Sequence, residues 1–84
     1  MSLNKLTPGE CARLVNVEAG QGLKQRLAAM GLVPGVALRI IHNQAWGPLV
    51  VEVRGSRIIL GRGMADRVTV ESSNCSNIDN APSP

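Results

Sequence analysis

Leu23-Lys24-Gln25-Arg26-Leu27-Ala28-Ala29-Met30-Gly31-Leu32-Val33-Pro34-Gly35 is the stretch that decides the fold. Leu23, Leu27 and Met30 recur at i, i+4 and i+7, one apolar stripe of a short helix, with Lys24, Gln25 and Arg26 off the stripe in water. Gly31 suits the left-handed position just past a helix end, and Leu32 can fold back as the apolar contact that accompanies it. Pro34 then bars the helix from resuming, and Pro34-Gly35 turns the chain into the next strand. One short helix is stopped here. Everything around it alternates.

Before the helix, Thr7-Pro8-Gly9-Glu10 is a turn signal and Cys11 to Val17 reads as a strand, broken by Ala19-Gly20-Gln21-Gly22. After it, Val36 to Asn43 alternates with Val36, Leu38, Ile40 and His42 on one face. Gln44-Ala45-Trp46-Gly47 is a loop, and Leu49 to Arg54 alternates with Leu49, Val51 and Val53 together. Gly55-Ser56 reads as a two-residue hairpin turn. That turn pairs Val53 with Ile58 and Val51 with Leu60, and on the other face Glu52 with Ile59. Gly61 to Asp66 is a glycine-hinged bend of about one helical turn, and Arg67 to Glu71 is a last strand with Val68 and Val70 inward. Five short strands cannot make a large open sheet, and closure removes exposed edges. The expected fold is mainly β: a small SH3-like five-stranded barrel with one short α-helix inserted after the first strand. Residues 1–71 form its single domain. Residues 72–84 are polar, with Ile78 the one large aliphatic, and are expected to be a disordered C-terminal tail.

Composition narrows the function classes. The chain has 84 residues, 44% of them hydrophobic, yet one Trp, no Phe and no Tyr. Base-stacking nucleic-acid modules need aromatic platforms, so that class is disfavoured. No apolar run approaches the ~20 residues that span a bilayer. Met1 to Leu6 lacks the apolar stretch of a secretory signal, and the expected compartment is the cytoplasm. Cys11 and Cys75 lie far apart, the second in the polar tail, so no disulfide framework is expected. A phosphate-cradling glycine loop with its lysine is missing, and a lone histidine without a nucleophile at a readable spacing makes no triad. The chain is not expected to be an enzyme.

Thr7-Pro8-Gly9-Glu10, Leu27 to Gly35 and Leu60-Gly61-Arg62-Gly63-Met64-Ala65 together resemble the FeoA family, small cytoplasmic accessory proteins of bacterial ferrous iron uptake. The run Arg26-Leu27-x-x-Met30-Gly31-x-x-Pro34-Gly35 is the most specific part, and the resemblance covers roughly residues 3 to 71. It implies an SH3-like fold and a role beside FeoB, a membrane iron transporter with a cytoplasmic GTPase domain. The same domain type occurs at the end of metal-dependent repressors. Where the family often carries Gly-Gly-Pro after the second barrel strand, this chain has Trp46-Gly47-Pro48. The family brings no catalytic residues.

Five features bear on binding. Ile41, Val50 and Ile59 point away from the core on adjacent strands. Three contiguous outer aliphatics call either for a covering element, which the helix could supply, or for a binding surface facing the transporter or a second copy of this chain. Trp46 either caps one end of the barrel or anchors a partner. His42 either hydrogen-bonds at the barrel mouth or ligates a metal shared between two chains, with Glu10, Glu52 and Cys11 as companions. One chain offers too few ligands for a closed site, so no cofactor is required, and zinc or ferrous iron belongs only at an intermolecular site. Arg39 and Glu52 face each other across a strand pair. The remaining basic groups are spread over helix, strands and turns. The expected function is thus a non-enzymatic accessory of ferrous iron uptake that docks on the cytoplasmic part of a FeoB-type transporter and modulates it. A nucleic-acid-binding SH3-like barrel, suggested by the pI near 9.5, and a regulatory domain of metal-dependent repressor type are the alternatives.

Overall fold

The computed structural model describes residues 1–44 and 46–75. Its strands are β1, Cys11–Val17; β2, Ala37–Asn43; β3, Leu49–Val53; β4, Ser56–Leu60; and β5, Val68–Ser73. They make one antiparallel sheet in the order β4-β3-β2-β1-β5, with helix α1, Gln21–Ala29, between β1 and β2 and helix α2, Arg62–Ala65, between β4 and β5. The inward residues of all five strands join Leu27 and Leu32 in one buried apolar cluster. Among the described residues no ladder joins β4 to β5. The sheet coils into a barrel-like shape without closing.

The helix stop behaves as its residues dictate. Gly31 has φ +96°, its N–H donates to the Ala28 carbonyl at 2.9 Å, and the Leu32 N–H donates to the Leu27 carbonyl at 2.9 Å. Leu27 and Leu32 are buried together, which is the apolar contact that such a stop requires. Met30 departs from the expected stripe: it is the helix C-cap and is exposed, so the buried part of α1 comes down to Leu27 with Leu23 half-buried against the core.

Two registers differ from the sequence reading. The β3–β4 hairpin turns at Arg54-Gly55, both with positive φ (52° and 84°), and not at Gly55-Ser56. Val53 therefore pairs with Ser56, Val51 with Ile58, Glu52 with Arg57 and Val50 with Ile59. The slip is two residues, and because side chains alternate with period two, every residue keeps its expected face. In β2 the register shifts between Ile40 and His42. Ile41 is the extra residue of a bulge, so Ile40 opposite Val51 stays inward while His42 opposite Val50 turns out. His42 is exposed, contrary to its expected place on the inner face, and Asn43 takes the inward place instead.

The chain ends also differ. Leu3 and Leu6, to which the sequence reading gave no role, are buried on either side of a 3₁₀ turn at Leu3–Lys5. Met1 and Ser2 cover the outer edge of β5: the terminal amine donates to the Val70 carbonyl at 3.0 Å, the Val70 N–H donates to the Met1 carbonyl at 2.7 Å, and Ser2 bridges Thr69. The expected tail boundary at Ser72 falls inside β5, where Ser72 pairs with Ala12 and Ser73 with Cys11. That pairing corrects a further expectation, because Cys11 and Cys75 form a disulfide with Cα atoms 5.2 Å apart. Distance along the chain had suggested separation. The antiparallel β1–β5 ladder removes it, since Cys75 stands two residues beyond the partner of Cys11. The remainder of the expected tail, residues 76–84, lies outside the described residues.

Candidate functional site: the outer face of strands β2 to β4

The bulge in β2 and the turn at Arg54-Gly55 together set what the outer face presents. His42 lies opposite Val50 and Val50 opposite Ile59, giving a row across three strands with Ile41 beside it at the bulge. Ile41 and Val50 are half-buried, whereas Ile59 is 68% exposed. The helix does not cover them. Its buried Leu27 shares a cluster with Val51 and Leu60, which point to the opposite side of the sheet. The next row along the same face is charged: Arg39 opposite Glu52 and Glu52 opposite Arg57, with 3.9 Å between the Arg39 and Glu52 side chains. A half-exposed pair of this kind contributes ~0–1 kcal/mol, so it orders the face more than it stabilises the fold.

Trp46 stands in the β2–β3 connection and is 99% exposed, so the capping alternative does not describe it. The connection is held from beneath. Arg62 donates to Asn43 Oδ1 at 2.5 Å, to the Gln44 carbonyl at 2.6 Å and to Asn4 Oδ1 at 3.2 Å. Asn43 donates in turn to the Asn4 and Leu6 carbonyls, and Asn4 to the Arg62 carbonyl. The guanidinium thus ties the amino-terminal segment, the end of β2 and α2 into one node. Trp46, Gly47, Pro48, Gly61 and Arg62 line a shallow depression over it. In the sequence Arg62 is one of the basic groups spread over helix, strands and turns. Its partners lie 19 and 58 positions away, and no local pattern announces such contacts.

A second concavity of about 180 Å³ lies between α1 and the segment after it, lined by Asn16, Val17, Lys24, Ala28, Leu32, Val33 and Pro34. It is mostly apolar with one cation at its rim. Its sole sequence signal was Ala28, a small residue on the helix where a larger one would fill the gap.

The metal expectation finds no centre within one chain. Among the described residues no three or more of His, Cys, Asp and Glu converge. Of the three companions considered for His42, Cys11 is held in the disulfide and has no thiolate to give. Glu52 shares the outer face with His42, one row away, facing Arg39. Glu10 accepts from Thr7 N–H at 2.6 Å and from Thr7 Oγ1 at 2.8 Å. These bonds, the backbone one foremost, hold its carboxyl below the usual carboxylate pKa.

Residues 1–72 match the FeoA domain family. The "Putative Fe(2+) transport protein A" of Methanocaldococcus jannaschii is 40% identical over 65 residues, spanning 77% of this chain and 78% of that protein. Among solved structures, the crystal structure of an iron uptake regulatory protein (FeoA) superposes with a TM-score of 0.83 at 33% identity, covering 87% of this chain and 97% of the other. The zinc complex of FeoA from Stenotrophomonas maltophilia, described as a procaryotic SH3 domain protein, superposes at 0.74 with 29% identity over 84% of this chain and 89% of that one.

Proposed function

This chain belongs to the FeoA family, and from that premise we propose that it is a non-enzymatic accessory of ferrous iron uptake which docks on the cytoplasmic part of a FeoB-type transporter and modulates it. The observations that carry the docking surface are the uncovered row Val50–Ile59, with Ile59 68% exposed, and a fully exposed Trp46 in the β2–β3 connection. An uncovered aliphatic row and an exposed indole are the residue types of an interface centre, where Trp is over-represented among the residues that dominate binding. No helix of the described residues is long and apolar enough to cross a membrane, so the reading places the membrane in the partner. A metal, on this reading, is held between two chains through His42, because among the described residues of one chain no three donors converge.

The test is capture of the transporter's cytoplasmic part by the tagged full chain. Ile59→Lys puts a charge on the row without touching the inward Ile58 or Leu60, and should melt as wild type while losing capture about tenfold or more. Val15→Lys, on the exposed bulge of β1, is the control and should retain it. Equal capture by Ile59→Lys and wild type rejects this face as the docking surface. No capture by wild type rejects the partner.

A further inference from the structure

The sheet has two edges, and the fold treats them differently. At β5 the amino-terminal segment closes the edge: the Val70 N–H donates to the Met1 carbonyl, and the terminal amine donates to the Val70 carbonyl. At β4 no described segment does the same. The two-residue turn at Arg54-Gly55 makes Val53–Ser56, Val51–Ile58 and Leu49–Leu60 the pairs that exchange backbone bonds between β3 and β4. Arg57 and Ile59 therefore turn their N–H and C=O groups off the sheet, and among the described residues neither makes a backbone bond there. Both side chains are exposed, two residues apart on the outer face. The Glu52 carboxylate, opposite Arg57, reaches Arg39 at 3.9 Å, and Arg57 has no ion pair among the described residues.

We propose that β4 is a strand-addition site for an extended acidic segment of a partner protein, paired antiparallel, with an aliphatic residue opposite Ile59 and a carboxylate two residues later opposite Arg57. An uncovered strand edge is a ready ladder: main-chain bonds give affinity, and alternate side chains give specificity. Antiparallel addition continues the pairing of this sheet and is slightly the more stable ladder per residue. Directly opposed side chains on one face start about 4.5–5.5 Å apart, so the guanidinium meets a carboxylate and Ile59 an aliphatic. A second copy of this chain does not supply that partner. Its Ser56–Leu60 strand carries an arginine and no acid, and its β5 edge is covered. A cation on a strand edge repels a like edge and admits an acidic one, so Arg57 selects the occupant. The docking reading above uses the outer face, whereas this inference uses the backbone of the edge and stands without it.

The test is a titration of the isotopically labelled full chain with the peptide acetyl-Thr-Thr-Val-Thr-Glu-Thr-amide, read by amide NMR. Saturable binding should slow exchange of the Arg57 and Ile59 amides by about tenfold and leave Val70 unchanged. Methylating the Val and Glu backbone nitrogens of the peptide removes its two ladder donors and should weaken binding by about tenfold or more. Replacing its Glu by Lys should weaken binding by about fivefold, and Arg57→Glu, checked by its melt, should reverse the order of the two peptides. Absent saturable binding, unaltered exchange at both amides, or equal binding of the methylated and unmethylated peptides each overturns the proposal. So does equal binding of the Glu and Lys peptides to the wild-type chain. Protection of the same two amides that grows with protein concentration, without peptide, also overturns it, because a second copy then fills the edge. No arm involves the transporter, so failure of docking and failure of this inference are read separately.

Discussion

At the scale of single residues, two backbone positions carry more information than any side chain. Gly31, at φ +96°, completes both hydrogen bonds of the helix stop. A Cβ built there would meet only Val53 Cγ1 at 3.8 Å, an ordinary contact. Gly31→Ala should therefore cost ~1 kcal/mol through backbone strain alone, and urea denaturation measures it. Arg54 is the opposite case, a residue other than glycine at φ 52° in a turn whose two central residues both have positive φ. Such turns favour Asn-Gly. Arg54→Asn should raise stability by roughly 0.5 kcal/mol, because asparagine tolerates the left-handed region that arginine enters at a cost. A destabilised Arg54→Asn variant contradicts this turn and with it the β3–β4 register.

Among the elements, the Thr7–Glu10 turn and the amino-terminal segment do what the strands cannot. Glu10 has its pKa lowered by bonds from Thr7. A carboxyl with a lower pKa in the folded state stabilises fully above its unfolded value and loses that contribution as pH falls through the folded one. The stability difference between wild type and Glu10→Gln should accordingly be largest near neutrality and vanish in acid; a difference that grows in acid reverses the sign and rejects the bond. The segment around Leu3 and Leu6 closes the core from the side where β5 would otherwise expose its edge. Leu3→Ala should cost ~2–5 kcal/mol, as deleting a fully buried aliphatic does. A cost below 1 kcal/mol in urea denaturation contradicts that packing.

For the molecule as a whole, the disulfide spans a sequence separation of 64 residues and so constrains nearly all of the described chain. The chain-entropy account of a loop that long gives on the order of 4 kcal/mol. Removing everything from Ser72 onward should thus lower the melting temperature markedly, both by that loss and by the loss of the Ser72 and Ser73 pairings. An unchanged melt rejects both. If the proposed metal is held between chains, zinc should promote dimerisation of wild type and not of His42→Ala, with light scattering as the readout. Equal dimerisation of the two removes His42 from the site. The sequence by itself determined whatever depends on near neighbours: the helix and its stop at Gly31, and the two faces of β3, β4 and β5. These arise from periodicity and from backbone preferences that act over a few residues. The inner and outer sets survived even a hairpin register slipped by two residues, because alternation has period two. Tertiary structure alone decided the rest. The bulge at Ile41 turned His42 outward, the Arg62 node fixed the loop that presents Trp46, the amino-terminal leucines found the core, and Cys75 reached Cys11. Each of these depends on groups far apart in the chain whose separation is set by sheet pairing, and no local pattern encodes that distance.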